Sequence, residues 1–287
     1  MEHILVALDL SPQADRAFER AVMLATEHRT TLTVLHVIND NLLGYEDEDG
    51  TLAKTLLEKA TRMVQRYTAS LPPGTKSVVK SRIAIGKAWK EILSAADKIG
   101  ADLIVIGLHH TDPMKDIFLG TTAERLIRSS SKPVLVVRDK PGDTYRNVVT
   151  TTDFSPCSAH ALSMGLEIAP NAAFTLLHVF DTPFPAYIKF GRKQLEEFKD
   201  PLLERTYREV KEAMDAFLKG HDACKASISP RLERNEVGAG IGKVIDEQKA
   251  DLLVMGTHGR TGITGALIGS VALAFLNDPP CDVLVTR

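Results

Sequence analysis

An internal duplication dominates this sequence of 287 residues. The segment ADLIVIG at 101–107 returns as ADLLVMG at 250–256, and LTVLHVI at 32–38 returns as FTLLHVF at 174–180. LDLSP at 8–12 likewise returns as TDFSP at 152–156. A period of about half the chain indicates one duplicated domain rather than a solenoid of many repeats. The polar segment RDKPGDTYR at 138–146 separates the copies, so we predict domains at 1–140 and 146–287.

Each half alternates short apolar runs with amphipathic segments. Ser11-Pro12 and Ser155-Pro156 each follow a strand-like run and provide a capping hydroxyl and a proline suited to the first helical position. Strands that alternate with helices predict a parallel sheet covered on both faces. We align Glu236-Val237-Gly238 with Ala84-Ile85-Gly86 as the end of the third strand. The predicted strands of the first half are 4–8, 32–38, 78–85, 103–106 and 134–137.

A glycine-rich loop follows the apolar run at 252–255. Gly256, Gly259, Gly262 and Gly265 leave the backbone bare, and Arg260 adds a positive charge. Glycines allow backbone N–H groups to approach an anion, and the first turn of a following helix offers unpaired N–H groups. The sequence between Gly256 and residue 277 contains no Asp or Glu. These features favour a phosphate-binding loop over an ordinary surface loop.

The glycine spacing resembles that of the universal stress protein family. Gly256, Gly259 and the pair Gly269-Ser270 reproduce its G-x2-G-x9-G-S pattern, and the duplicated strands extend the resemblance over both halves. The resemblance implies an α/β fold of two tandem, open, five-stranded parallel-sheet domains. These are adenine-nucleotide hydrolase-like, or Rossmann-like, domains. Because domains of the family pair through their last strands, Val134–Val137 and residues 283–286 are expected to form a pseudo-dimer within the chain. A homodimer of two chains is left open.

The family splits into ATP binders and non-binders, and the glycine pattern implies ATP, with Mg²⁺ held mainly by the phosphates and water. By resemblance, Thr151 and Asp153 flank adenine and ribose, Val179 offers backbone groups to adenine, and Met255 packs near the base. The same resemblance implies that Gly256, Gly259, Gly269, Ser270 and Val271 contact the ribose and phosphates. His258 and Arg260 are further candidates for contacting phosphate. The alternative for Asp153 is a carboxylate that only caps the helix entry. We expect His36 and His178 to be strand residues with satisfied rings.

The N-terminal half departs from the pattern. Gly107 and Gly120-Thr121 are present, but His110 occupies the position of the second glycine. Asp112 and Asp116 in the following loop would repel phosphate, against one Lys115. We predict weak or no ATP binding in this half. A metal site at His109, His110 and Asp112 is disfavoured, because no fourth ligand is evident.

Catalytic signals are weak. Gly238–Lys243 encloses one residue too few for a phosphate-binding Walker loop and is followed by Val244 instead of Ser or Thr. No nucleophile–base pair is evident, so no catalytic residue is assigned, and any ATPase activity is expected to be weak. The favoured function is an ATP-binding stress-response or signalling protein with its site in the C-terminal half. The alternatives are a non-catalytic interaction module with an unknown protein partner and a slow nucleotide hydrolase.

The net charge and the number of cysteines restrict the expected partners and cellular compartment of the protein. A net charge of -2 gives no general attraction to nucleic acid or to anionic membranes. No apolar run approaches the ~20 residues of a membrane helix, and the N-terminus lacks the pattern of a secretory signal. Three widely spaced cysteines argue against a disulfide framework. We expect a cytoplasmic protein.

Overall fold

The computed structural model describes residues 1–42, 51–69, 71, 79–108, 120–180, 201–219, 228–257 and 268–287. In these parts of the chain, ten strands and eight helices alternate, with one short 3-10 helix at Asp40–Leu42. The strands are β1 His3–Leu8, β2 Thr31–Ile38, β3 Val79–Ile85, β4 Leu103–Gly107, β5 Val134–Val137, β6 Asn147–Thr151, β7 Ala173–Phe180, β8 Ile228–Arg234, β9 Leu252–Gly256 and β10 Asp282–Thr286. The helices are α1 Pro12–Glu27, α2 Thr51–Ala69, α3 Ala88–Ile99, α4 Thr121–Ser129, α5 Pro156–Ile168, α6 Pro201–Lys219, α7 Val237–Gln248 and α8 Ser270–Asn277.

All ten described strands form one sheet in the order β3-β2-β1-β4-β5-β10-β9-β6-β7-β8. Every pairing within a half is parallel, and the halves join through the antiparallel pair β5 and β10, with Leu135 opposite Leu284. The predicted fold class and the intrachain pseudo-dimer are confirmed. Pairing the last strands removes two sheet edges that would otherwise be exposed to other chains.

Two apolar cores cover the two faces of the sheet, and each draws residues from both halves. One lies beneath α1 and α5, with Phe18, Leu24 and Leu162 among its buried members. The other lies beneath α3, α4, α7 and α8, with Leu126 and Leu276. Helices on both faces explain why the central strands are mostly apolar. The antiparallel pair β5 and β10 forms the seam between the halves. Because both cores extend across this seam, the halves share a continuous interior.

The same tight turn connects the first strand of each half to its helix. Asp153 Oδ1 accepts a hydrogen bond of 3.0 Å from the Ser155 N–H, and Asp9 and Ser11 repeat this contact. The residue between them is left-handed, with φ of 65° at Phe154 and 63° at Leu10. The predicted caps are present, since the hydroxyls of Ser155 and Ser11 accept from the helix N–H groups. The turn places the carboxylate at the end of the first strand.

A buried polar cluster fastens the halves together on one side of the seam. Asp282 of β10 is 3% exposed and accepts from Arg20 Nε at 3.2 Å and from the Tyr145 hydroxyl at 2.7 Å. Its other oxygen accepts from the Arg138 N–H at 2.8 Å, and Arg20 lies over the Tyr145 ring. Burial raises the pKa of the Asp282 carboxyl, while the Arg20 guanidinium and these donors oppose the rise. The cluster connects α1, the segment between the halves and β10.

The alignment of Glu236-Val237-Gly238 with the end of the third strand is wrong. β8 ends at Arg234, where it pairs with Phe180, and α7 begins at Val237. The Glu236 side chain caps that helix by accepting from the N–H groups of Gly238 and Ala239. The glycine that ends the third strand of the N-terminal half is therefore replaced by Asn235, and the alignment matched the wrong glycine. Gly238–Lys243 lies wholly within the helix.

Only one of two neighbouring glycines in α7 is required by packing. A Cβ at Gly240 would lie 2.7 Å from Val179 Cγ1, whereas a Cβ at Gly242 would have no neighbour within 4 Å. We expect Gly240→Ala to destabilise the fold by about 1–3 kcal/mol. The matched Gly242→Ala should be neutral or stabilising by up to about 1 kcal/mol. Urea denaturation of both variants checks this, and equal stabilities would contradict the assignment.

Candidate functional site

The carboxyl ends of β6, β7 and β9 open onto a cavity of about 410 Å³ in the C-terminal half. In open parallel sheets, ligands bind beyond these ends, where the strand order reverses. The described part of the chain brings eight of the eleven predicted site residues together around this cavity: Thr151, Asp153, Val179, Met255, Gly256, Gly269, Ser270 and Val271. His258, Gly259 and Arg260 lie outside the described residues.

Asp153 lines the cavity and also caps the turn before α5. Its Oδ1 contact with the Ser155 N–H shows that the alternative capping role is real. The two roles are compatible, because a carboxylate has two oxygens and about four acceptor positions. Capping therefore fixes the orientation of a carboxylate that also faces the cavity.

Val179 directs its backbone toward the cavity. Within a parallel sheet, alternate residues of a strand present their N–H and C=O groups to the same neighbour. The Leu177 carbonyl accepts from the Thr152 N–H, so β7 faces β6 at this residue. Val179 lies two residues further on and faces the same side, beyond Thr151 and Leu177, the last paired residues of β6 and β7. Its backbone donor and acceptor are thus suited to reading a planar heterocycle.

His178 has a satisfied ring, and so does His36. His178 Nδ1 donates to the Thr152 carbonyl at 2.6 Å, and His36 Nδ1 donates to the Leu8 carbonyl at 2.8 Å. The Phe154 ring stacks on His178 with centroids 4.5 Å apart. Both histidines are therefore strand residues with a ring nitrogen satisfied, as the sequence predicted, and each holds the end of its strand against the turn that follows β1 or β6.

Backbone hydrogen bonds close the two ends of the glycine loop. The Gly269 N–H donates to the Thr257 carbonyl at 2.8 Å, and the Thr257 N–H donates to the Thr286 carbonyl at 2.8 Å. Within the described part of the chain no side chain caps α8, which begins at Ser270, and the first-turn N–H groups and positive dipole end of this helix lie at the cavity. A Cβ at Gly256 would lie 2.8 Å from Cys157 Sγ, so this glycine allows α5 to approach β9.

Sequence reasoning missed a row of hydroxyls on the cavity wall. Thr152, Ser158 and Thr257 all line the cavity. Thr152 Oγ1 accepts from the Phe154 N–H and lies 3.0 Å from Ser158 Oγ, which donates to the Ser155 carbonyl. The only signal in the sequence is a contrast between the halves, since Leu8, Ala14 and Leu108 stand at the equivalent positions.

The N-terminal half has its own cavity in the equivalent position, with a volume of about 380 Å³. It opens beyond β1, β2 and β4, and Asp9, Val37 and Gly107 line it. His109, His110, Asp112, Lys115 and Asp116 lie outside the described residues. Each half thus has a cavity in the same position, but the residues that line the two cavities differ.

Two doubly wound α/β domains, each with a cavity beyond the carboxyl ends of its strands, define a tandem protein of the open parallel-sheet type. The model of the universal stress protein family matches residues 1–138 and again residues 144–287. The chain belongs to the universal stress protein family.

Individual relatives agree with the family match. A universal stress protein of Mycolicibacterium smegmatis is 26% identical over 306 aligned residues, which cover 99% of this chain and 96% of the relative. Universal stress protein MJ0577 of Methanocaldococcus jannaschii is 31% identical over 155 residues, covering 48% of this chain and 94% of the relative. The crystal structure of a universal stress protein from Archaeoglobus fulgidus matches the fold with a TM-score of 0.69 at 19% identity, covering 99% of this chain and 98% of that one.

None of the described helices is both long enough and apolar enough to cross a bilayer.

Proposed function

We propose that this chain is an ATP-binding stress-response or signalling protein with one nucleotide site, in the C-terminal cavity. The observation that carries the proposal is the convergence of residues from four separate segments on one cavity: Thr151 and Asp153, Val179, Met255 and Gly256, and Gly269 to Val271. Its volume of about 410 Å³ lies within the range of small-molecule sites, roughly 300–1,000 Å³.

The described residues fit the parts of ATP. Val237, Ile241 and Met255 give an apolar wall for the base, and Val179 adds backbone groups at its edge. Asp153 would accept hydrogen bonds from ribose hydroxyls. The uncapped start of α8 and the Ser270 hydroxyl suit phosphate oxygens. Mg²⁺ would be held by the phosphates and water, with His258, Gly259 and Arg260 completing the phosphate contacts as the sequence predicts.

ATP stoichiometry is the first test. In calorimetry with Mg²⁺, we expect one ATP per chain. Assay of the same sample for ADP should find little product, because no general base or arginine finger is assigned. Two sites per chain would contradict the expectation that the N-terminal half does not bind ATP. No binding would refute the proposal and favour an interaction module.

A substitution at Asp153 distinguishes ATP binding from ATP hydrolysis. Asn at this position keeps an oxygen acceptor for the Ser155 N–H, so the turn should persist. We expect Asp153→Asn to weaken ATP binding about 10-fold or more, because a hydrogen bond to a charged group contributes about 1.5–3 kcal/mol. A fast Mg²⁺-dependent ATPase that is lost in this variant would instead favour the hydrolase alternative.

A further inference from the structure

The ten-stranded sheet ends in two edge strands, β3 in the N-terminal half and β8 in the C-terminal half. In a parallel sheet, alternate residues of a strand direct their backbone N–H and C=O groups to the same side. The Gly86 N–H donates to the Ile38 carbonyl of β2, so the even-numbered residues of β3 face β2. The odd-numbered residues direct their backbone groups outward, where no other described strand pairs with them: Val79, Ser81, Ile83 and Ile85.

A proline interrupts the edge of β8 at a position where β3 carries a serine. The Asn235 N–H donates to the Phe180 carbonyl, so the odd-numbered residues of β8 face β7 and Pro230 faces outward. Ser81 and Pro230 are the third residues of β3 and β8. Proline has no N–H group, and its presence at a sheet edge discourages the addition of another strand. The edge of β3 keeps this donor and is open to an added strand.

Ion pairs neutralise the cations on one face of β8. Arg231 contacts the Glu233 carboxylate at 3.1 Å and the Glu247 carboxylate of α7 at 2.6 Å. Lys243 of α7 adds a second contact to Glu233, also at 2.6 Å. Carboxylates of the same half therefore match the cations on this face of the C-terminal edge.

The cations of β3 lack such carboxylate partners. Arg82 stands at the position of Arg231, but Ala84 and Lys98 replace the two carboxylates. Lys80 and Arg82 are exposed, and neither forms an ion pair with the described residues. β3 itself contains no Asp or Glu. The open edge is therefore positively charged, although the net charge of the whole chain is -2.

The open edge has one apolar face and one positive face. Val79 packs against the core beneath α1, and side chains alternate along a strand, so Ile83 and Ile85 lie on the same face as Val79. Ile85 is 41% exposed. Lys80 and Arg82 lie on the opposite face of the strand. An added strand would therefore match this edge with apolar side chains on one face and carboxylates on the other.

We propose that the β3 edge binds an extended segment of a partner protein in which apolar residues alternate with Asp or Glu. The segment would add a further strand to the sheet through backbone hydrogen bonds, and its carboxylates would contact Lys80 and Arg82. A second copy of this chain is a poor occupant, because pairing β3 with itself would bring these cations together. The proposal does not depend on nucleotide binding.

Fluorescence anisotropy of a labelled peptide tests the proposal. The probe is an end-capped peptide of alternating valine and glutamate with 7 residues, the length of β3. We expect saturable binding that weakens as salt rises, because salt screens exposed charges. The same peptide with lysine in place of glutamate should bind at least about 10-fold more weakly, a difference of 1.4 kcal/mol. No binding of the glutamate peptide, or equal binding of the two peptides, would overturn the proposal.

Ser81→Pro tests the contribution of the backbone. The fold already accepts Pro230 at the equivalent position, so circular dichroism should show a folded variant. Peptide binding should weaken about 3-fold to 10-fold, as expected for one lost hydrogen bond. Ser81→Ala keeps the N–H group and should bind like the unchanged protein. An unchanged affinity in folded Ser81→Pro would contradict the addition of a strand.

Peptides N-methylated at the valines or at the glutamates provide the same test on the unchanged protein, in case Ser81→Pro does not fold. One of the two peptides should lose binding, because only alternate N–H groups of an added strand face β3. Equal affinities of both methylated peptides and the parent peptide would refute backbone pairing. A homodimer in sedimentation analysis that Ser81→Pro disrupts would assign the edge to a second copy and also overturn the proposal.

Lys80→Gln together with Arg82→Gln tests the contribution of charge. We expect this double variant to bind the glutamate peptide about 10-fold more weakly and with less dependence on salt. The matched control is Arg208→Gln with Lys211→Gln, which removes two exposed positive charges from α6 and should leave the affinity unchanged. Equal losses in the two double variants would attribute binding to net charge alone and overturn the site on β3.

Discussion

Replacing Asp282 with Ala is expected to lower the free energy of unfolding by about 3–5 kcal/mol. The variant removes the carboxylate that pairs with the buried guanidinium of Arg20 and accepts from Tyr145 and Arg138. Arg20 is only 6% exposed, so it would be left as a buried charge without its carboxylate partner. Guanidinium denaturation, followed by far-ultraviolet circular dichroism, measures the change.

The double variant Arg20→Met with Asp282→Leu provides the control. The pseudo-symmetric positions on the opposite side of the seam hold Met164 and Pro133, so the fold already tolerates an uncharged pair there. Because apolar replacement of a buried pair is often neutral, the double variant should be more stable than Asp282→Ala alone. If the double variant were as unstable as the single one, the unpaired charge would not explain the loss.

Gly259→Asp is expected to reduce ATP affinity by more than about 100-fold, roughly 3 kcal/mol. The glycine pattern predicts that bare backbone at this position meets a phosphate, so the variant adds both a side chain and a negative charge. Gly259→Ala adds the side chain alone and should cost less. Calorimetry with Mg²⁺ and ATP compares the three proteins, and an unchanged affinity in Gly259→Asp would refute the assignment of the phosphate loop.

The reverse change can be made in the N-terminal half. His110→Gly together with Asp112→Asn removes the bulk and one of the acidic charges that the sequence places in the equivalent loop. A second ATP per chain would support the steric and electrostatic explanation for that half. A stoichiometry that stays at one ATP per chain would assign the difference in ATP binding between the halves to Leu8, Ala14 and Leu108, which line the N-terminal cavity.

The fold was predictable because its signals are local and occur twice. The predicted strand 134–137 coincides with β5, and the predicted pairing with residues 283–286 occurs between β5 and β10. Ser11 and Ser155 were identified as caps from the two residues Ser-Pro alone. The end of the third strand of the C-terminal half was predicted wrongly, because Ile228–Arg234 is a polar edge strand. Without an apolar pattern to define the strand, the alignment matched a glycine instead.

The site was predictable only in part. Gly256, Gly269 and Ser270 of the family pattern meet at the cavity, but their ligand stays a prediction. The hydroxyls of Thr152, Ser158 and Thr257 were missed because isolated hydroxyl residues carry no sequence pattern. The cluster of Arg20, Tyr145 and Asp282 was missed for a different reason. It joins single residues far apart in the chain, which only the folded arrangement brings together.

The seam between β5 and β10 has a consequence for how such a protein can diverge. In an assembly of two identical chains, every substitution occurs twice, once at each symmetric position. Here one chain supplies both partners, so each position changes alone. Asp282 and Arg20 could therefore arise opposite an apolar Pro133 and Met164. Joining the two copies covalently therefore lets each half acquire residues that the other half lacks.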